Sequence, residues 1–494
     1  MRFPNLRVLL RDIGGILNVL GIVMLVPAIV AYFFKDFVAF EHFLITAICT
    51  LTVGIALRCI FKRSYDTELK HAMVCAALSW LIVSAISAHI FVVVGGFDWI
   101  DAFFESMSGW TGTGLTVTHP SSLTKTLQFW RSMMQWLGGV GVIVLMVSIL
   151  GRRPGTGAYA LYRAEAREEK IKPSVISTVQ TIWWIYLLFT IIGIFILKSA
   201  GMSFWESINH AMTAIGTGGF TITDESISYY DNTIIEIAIV PLMIAGAISF
   251  LVHYRFMTGV LPFRRKRGDA RAYFVDMQCR TFFLILLILV VAVVGANIFY
   301  YGNIIESLRF SSFQTISALT CTGFQTEMRI YEWSESAKLL LAFAMILGGC
   351  AGSTAGGVKI WRLMIIYKGI SDAIHRTFVP RRAIISHRLG DKVLDDDVMN
   401  KILSEAAILI LMWLFFIFIG IIVLSFVVPE YTLSDIIFEV CSAQGNVGLS
   451  TGISGSSLHP AGKIMLILNM YVGRLEIIPV LMLLRSLIKG FKPL

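Results

Sequence analysis

Apolar residues run along the chain in ten long stretches, at 14–34, 42–60, 73–95, 127–150, 177–198, 233–254, 279–300, 337–366 (interrupted), 399–428 and 461–489. A helix of roughly twenty such residues crosses a hydrocarbon core about 30 Å thick, so each is read as a membrane span. Four shorter apolar segments lie between alternate spans, near 99–110, 203–215, 305–319 and 433–444. About twelve helical residues cover only ~18 Å, so these cannot cross and are expected to re-enter or lie at the interface. From the third span onward the order is span, half-helix, loop, span, four times over. The first two spans fall outside that repeat and are expected to form a peripheral hairpin.

The loop after each half-helix carries the same local text. Ser108-Gly109-Trp110-Thr111-Gly112-Thr113-Gly114-Leu115-Thr116 is echoed by Thr213-Ala214-Ile215-Gly216-Thr217-Gly218-Gly219-Phe220-Thr221, by Ser317-Ala318-Leu319-Thr320-Cys321-Thr322-Gly323-Phe324-Gln325 and by Ser442-Ala443-Gln444-Gly445-Asn446-Val447-Gly448-Leu449-Ser450. Every copy opens on Ser or Thr and places Gly, then Leu or Phe, at the sixth and seventh positions beyond it. The shared glycines Gly114, Gly219, Gly323 and Gly448 are 105, 104 and 125 residues apart, and the longest interval holds the polar stretch Tyr367–Val398. A near-fixed period of this kind marks internal duplication. Irregular backbone at membrane depth survives only against protein or water, so the four loops are expected to face inward as four walls of one axial site. Glycine lets a chain approach an ion closely, and the negative ends of the half-helices would favour a cation. The loops carry no ring of acidic side chains, so selectivity would fall to backbone carbonyls. Helix-packing glycines would explain one such cluster but not four in the same context.

Composition agrees with a membrane protein: 56% of the residues are hydrophobic and 15% charged, against roughly 25% charged in ordinary soluble domains. The net charge of +9 does not indicate nucleic acid, because it is distributed. Basic residues gather at Arg2–Arg11, Arg58–Lys70, Arg152–Lys172, Arg255–Arg271, Lys359–Lys392 and Arg485–Lys492, whereas Asp98–Glu105, Glu206–Asp231 and Glu430–Glu439 are acidic or mixed. This alternation puts both termini in the cytoplasm of a multi-pass protein of the cell membrane, with the lipid bilayer as its partner and no nucleic acid. The first span lacks a small-residue cleavage signature and is read as retained. The seven cysteines form no CxxC pair and are read as small buried residues.

Two features sit outside the loops. Gly348, Gly349, Cys350, Ala351, Gly352, Ser353, Thr354, Ala355, Gly356 and Gly357 interrupt the eighth span. Five glycines and two hydroxyls in ten residues make continuous helix poor there. The segment lacks the GK[ST] ending of a phosphate loop and is read as a flexible loop that can block or clear the path. Arg474 lies near the centre of the last span, where a charge normally faces the bundle interior. Pairing with Glu476 is disfavoured, because residues two apart on a helix do not face each other. Behind the loops, Glu105, His210, Gln314 and Glu439 occupy equivalent positions and are expected to brace them. A polytopic membrane enzyme is the rival class, but no GxSxG or HExxH is present.

The four loops, Gln135-Trp136-Leu137-Gly138-Gly139-Val140-Gly141, the glycine-rich interruption and Gly473-Arg474-Leu475-Glu476 together resemble the Trk/Ktr/HKT superfamily of potassium transporters. The resemblance covers essentially the whole chain, and the N-terminal hairpin favours its TrkH type over the shorter KtrB type. It implies an all-α polytopic membrane protein of four membrane–pore–membrane pseudo-repeats around one central pore. The boundaries would be 1–70 for the hairpin and 71–152, 153–258, 259–370 and 371–494 for the repeats. It implies potassium as the permeant ion, no organic cofactor in this chain, a homodimer, and a TrkA-like cytosolic regulator whose RCK domains bind NAD or ATP. The filter would comprise Thr111, Gly112, Thr113 and Gly114, then Gly216, Thr217, Gly218 and Gly219. Its other two walls would be Thr320, Cys321, Thr322 and Gly323, and Gly445, Asn446, Val447 and Gly448. The interrupted span and Arg474 would form the gate. In the plant HKT branch serine at the first filter glycine accompanies sodium selectivity, so glycine at all four positions favours potassium. A sodium-coupled Ktr-like symporter is the alternative within the superfamily.

Overall fold

The computed structural model describes residues 3–62, 64, 67–141, 174–260, 269–378, 387–389 and 392–490. The second half of the expected span 127–150 and the basic stretch 152–172 lie outside them, as do parts of the basic stretches near 2–11, 58–70, 255–271, 359–392 and 485–492. Among the described residues the chain is mainly helical, with one antiparallel strand pair, His387–Leu389 with Lys392–Leu394. Among the described residues six helices are long and apolar enough to cross a membrane, or eight when two bent pairs are each counted as one span.

Four units of the same order follow the N-terminal helices Phe3–Phe33 and Phe37–Ile60. Each has an outer helix, a half-helix and an inner helix. In the first these are Leu69–Gly95, Trp99–Thr111 and Lys125–Val140, and in the second Val175–Ser199, Phe204–Ile215 and Thr233–Ala247. The third has Met277–Tyr301, Ile304–Leu319 and Glu335–Leu347, and the fourth Asp396–Val427, Leu433–Gly445 and Pro460–Leu475. Every inner helix starts on a side-chain cap. Thr124, Asn232, Ser334 and His459 accept from the backbone N–H of Leu127, Ile234, Ala337 and Ala461, satisfying one of the first-turn donors that a helix leaves open.

Two expected spans are not straight. Thr233–Ala247 turns by 106° into Phe250–Gly259, and Pro460–Leu475 turns by 109° into Ile478–Lys489. The first break carries no proline, and the second is followed by Pro479 in the first turn of the next helix. At the second, Glu476 and Ile477 both take positive φ, 56° and 70°, a conformation that apolar periodicity does not report. The expected span 337–366 divides into Glu335–Leu347 and Ile360–Phe378.

The N-terminal pair is less peripheral than its sequence position implies. The apolar window of Asn5–Phe33 is 72% buried, while that of Phe37–Ile60 is 28% buried. Only the second helix therefore lies at the edge, and it carries the two exposed cysteines, Cys49 and Cys59; the other five are buried. The two helices approach through glycine. A Cβ on Gly54 would meet the Asn18 amide and, at 2.8 Å, the Gly14 carbonyl, so the small residues set the interaxial distance. Gly54→Leu should force this pair apart and destabilise the protein by about 1–3 kcal/mol. Heating purified protein and following the surviving peak on size exclusion measures the lowered melting temperature.

Candidate functional site

Each half-helix ends in the same backbone device. The N–H of Thr113, Gly218, Thr322 and Val447 donates to the carbonyl five residues back, that of Ser108, Thr213, Ser317 and Ser442, at 2.8–2.9 Å. The residue before each of these donates three residues back, at 3.1–3.2 Å. This paired closure is the Schellman termination, and it requires a left-handed residue. That residue is Gly112, Thr217, Cys321 or Asn446, with φ of 68°, 49°, 54° and 53°. Only one of the four is glycine, so three loops hold a non-glycine residue in a conformation it resists. The hydroxyl that opens the motif has its own task in two units. Ser108 accepts from the Gly114 N–H and Ser442 from the Gly448 N–H, both at 3.0 Å.

The loops then meet one another. Gly114, Gly219, Gly323 and Gly448 all have positive φ, 95°, 76°, 82° and 100°. A Cβ on Gly114 would collide with the carbonyl of Gly218, one on Gly219 with that of Thr322, one on Gly323 with that of Val447, and one on Gly448 with that of Thr113. The contacts run first to second, second to third, third to fourth and fourth to first, so the ring closes. The four glycines also border one cavity of about 320 Å³ on the side where the loops return to the inner helices.

Side chains behind the ring fix the returning loops. Glu105 accepts from the Val117 N–H at 2.7 Å, and Glu439 from the N–H groups of Thr451 and Ser454 at 3.1 and 3.0 Å. The Gln314 side-chain oxygen accepts from Thr326 and Glu327 N–H at 2.8 and 3.2 Å. His210, expected to do the same, does not. Its Nδ1 lies 2.8 Å from the Glu206 carbonyl of its own helix, and its Nε2 has no hydrogen-bond partner. In that unit Gln135 takes over, donating to the Gly218 carbonyl at 2.6 Å and accepting from the Phe220 N–H at 2.9 Å. Gln135 lies on the preceding unit's inner helix, so alignment of the four loops alone could not assign it.

Beyond the ring lies the interruption 348–359. Its backbone is held at several points. Cys350 and Thr354 N–H donate to the Ala247 and Gly246 carbonyls at 2.9 and 3.1 Å, and Gly357 N–H to the Gly445 carbonyl at 3.1 Å. The Thr354 hydroxyl lies 3.0 Å from the Ile215 carbonyl and accepts from the Thr217 hydroxyl at 3.1 Å. The expected flexible loop is thus tied to the second and fourth units. Arg474 joins it to the first. It donates to the Thr354 carbonyl at 3.1 Å, to Gly139 at 3.0 Å and to Gly138, so it caps the carbonyl end of Lys125–Val140. Glu476 does not pair with Arg474. It faces Lys359 at 3.7 Å and Arg362, both beyond the interruption. Trp80, Gly352, Ser353, Asn446 and Arg474 border a cavity of about 40 Å³ beside this layer.

Four half-helices converging on a closed ring of glycines and carbonyls is an architecture that can be compared directly. Residues 39–489 match the TrkH cation transport protein family. The chain belongs to that family. A cation transporter of Methanocaldococcus jannaschii is 37% identical over 482 residues, covering 97% of this chain and 95% of that protein. The Trk system potassium uptake protein TrkH of Escherichia coli K12 is 30% identical over 493 residues, covering 97% and 98%. The crystal structure of the potassium transporter TrkH from Vibrio parahaemolyticus superposes with a TM-score of 0.82 at 26% identity, over 98% of this chain and 99% of that one. TrkH proteins are ion transporters, which sets the membrane-enzyme reading aside. The chain is a multi-pass membrane protein.

The ring generates a stability prediction. Gly323→Ala places a Cβ against the Val447 carbonyl at a φ that side chains resist, and should cost about 1–3 kcal/mol. Gly295→Ala, in a helix with nothing within 4 Å, should leave the protein unchanged or raise its stability by up to ~1 kcal/mol. Melting curves of the two purified variants check the contrast.

Proposed function

We propose that this protein carries potassium into the cell through the ring formed by Thr113–Gly114, Gly218–Gly219, Thr322–Gly323 and Val447–Gly448. The observation that supports this most strongly is the cyclic contact of each glycine with the next loop's carbonyl. A desolvated cation needs oxygens on all sides, and a closed ring of four loops supplies them. The relatives named for potassium uptake agree with this ion. Thr111, Gly112, Gly216, Thr217, Thr320, Cys321, Gly445 and Asn446 form the layer below the ring. The residue before the ring glycine is threonine in two walls, glycine in one and valine in one, so the four walls are not all equivalent.

The interruption Gly348–Gly357 and Arg474 act as the gate of this reading. The distribution of the basic loops supports an orientation with both termini in the cytoplasm. The large cavity then opens outward, and the gate lies on the cytoplasmic side of the filter. The four units correspond to pseudo-repeats with boundaries near 71–152, 153–258, 259–370 and 371–494, with 1–70 added in front. The Trk system in the relatives' names supports a cytosolic regulatory partner; in this reading the partner is a TrkA-like RCK protein that binds NAD or ATP, and the chain works as a homodimer.

Purified protein in proteoliposomes should take up Rb+ in preference to Na+, and Gly114→Ser should lower that preference. Varying Na+ and pH separates the readings. Rb+ uptake that requires Na+ would favour the sodium-coupled Ktr-like alternative, and no cation uptake at all would sink both readings.

Arg474 carries a second prediction. A guanidinium stays charged at any accessible pH. At an effective dielectric of ~20, two unit charges ~6 Å apart repel by about 3 kcal/mol, enough to slow passage roughly a hundredfold. Arg474→Ala removes that barrier and also three carbonyl contacts. Uptake should rise while the melting temperature falls. A stable variant with slower uptake would show that Arg474 is no barrier.

A further inference from the structure

The fourth residue of every inner helix reaches toward the half-helix of the next unit. These residues are Gln128, Glu236, Lys338 and Lys463. Lys338 donates to Asp435 at 2.9 Å, and Lys463 to Asp101 at 2.6 Å. Glu236 accepts from Arg309 at 2.9 and 2.6 Å. Gln128 donates to the Pro120 carbonyl of its own unit at 2.9 Å and reaches the second unit only by a long contact, accepting from the Trp205 indole N–H at 3.5 Å. One turn further along its helix, Arg131 supplies the charge at that interface. It donates to Glu105 at 3.1 Å and across to the Thr221 carbonyl of the second unit's loop at 3.1 Å. The reach is first to second, second to third, third to fourth and fourth to first. Charged clasps thus follow the cyclic order of the loops at three of the four interfaces, and at the first-to-second one an arginine paired within its own unit reaches across to a backbone carbonyl.

Helix packing alone does not account for these residues. A lysine in the first turn faces the positive end of the helix dipole, and a lysine is seldom buried without a partner. Yet the Lys338 and Lys463 side chains are 2% and 6% exposed. The carboxylate opposite resolves both problems. At the second-to-third interface the polarity is reversed, with the acid on the inner helix and the arginine on the half-helix, while the pairing position is kept. Where a charged pair crosses between units, its position is therefore kept and its sign is not. Asp435 shows how a clasp reaches the ring. Its second oxygen accepts from Thr432 at 2.6 Å in the cap that starts the half-helix, and the far end of that half-helix carries Val447 and Gly448.

We propose that these inter-unit clasps are positioning residues for ion selectivity: they set the spacing of the half-helices and so the distance between opposing ring carbonyls. A half-helix transmits a shift at its first turn to its loop as a rigid lever. Whether selectivity comes from cavity size or from carbonyl field strength, both depend on where the carbonyls stand. The proposal rests on the filter reading of the ring.

The second-to-third clasp gives the clearest test, because exchanging its charges builds the polarity that the next two interfaces already have. Rb+ and Na+ uptake would be measured in proteoliposomes for Arg309→Glu, Glu236→Arg and the double exchange. Each single variant should reduce the Rb+-over-Na+ uptake ratio about tenfold, equivalent to ~1.4 kcal/mol of relative barrier, and the exchange should restore it. Single variants that stay folded on size exclusion and keep the wild-type ratio overturn the proposal. If the singles do not survive purification, the exchange decides alone. A folded double variant with the wild-type ratio supports the clasp, and a folded but unselective one overturns it. Wild-type protein that takes up both ions equally would fail the filter reading, and the clasp proposal would fall with it. Failure of the clasp variants alone would leave the filter reading standing.

Discussion

The contact of a glycine α-carbon with a neighbouring loop's carbonyl, made four times around a closed circuit, is the constraint on which the rest of the structure depends. No side chain larger than hydrogen fits at Gly114, Gly219, Gly323 or Gly448. All four also need positive φ, so the glycines answer two demands at once. Around them the protein is arranged to keep four carbonyl-bearing loops in place without covering the carbonyls. Half-helices end on them, serine hydroxyls hold the N–H groups of Gly114 and Gly448, and buried Glu105, Gln314 and Glu439 bind three of the returning segments from behind.

Strain is concentrated at the same place. Thr217, Cys321 and Asn446 occupy left-handed torsions because each half-helix must stop within one residue and turn its chain toward the axis. Such torsions persist only where the surroundings over-determine them. Asn446 donates to the Thr113 hydroxyl at 2.9 Å and the Met470 carbonyl at 3.0 Å, and Thr217 is bonded to Thr354 of the interruption. The layer proposed as the gate is thereby coupled to the layer proposed as the filter through the strained residues themselves. Arg474 extends that coupling to the first unit, so the interruption is held by three of the four units.

Much of this was legible in the sequence, and the part that was not has a physical reason. The half-helices were expected at 99–110, 203–215, 305–319 and 433–444 and are found at Trp99–Thr111, Phe204–Ile215, Ile304–Leu319 and Leu433–Gly445. Short apolar length and loop chemistry suffice to place them. The bend after Ala247 was missed because apolar composition continues through it and only the backbone torsions change; the bend after Leu475 had a signal in Glu476 and Pro479, set inside an otherwise apolar run. Burial of the first helix was missed because hydropathy does not distinguish a lipid-facing helix from a protein-facing one. Gln135 and the clasps were missed for a shared reason. They act between units, and an alignment of one unit with another hides every contact that crosses to a neighbour.

The central claim is that the four-carbonyl ring is where the permeating ion sits. Anomalous diffraction from crystals grown in Rb+ locates the ion directly. The account predicts an anomalous peak on the axis, surrounded by the carbonyls of Thr113, Gly218, Thr322 and Val447. A protein that transports Rb+ yet shows its peak away from those carbonyls would contradict it.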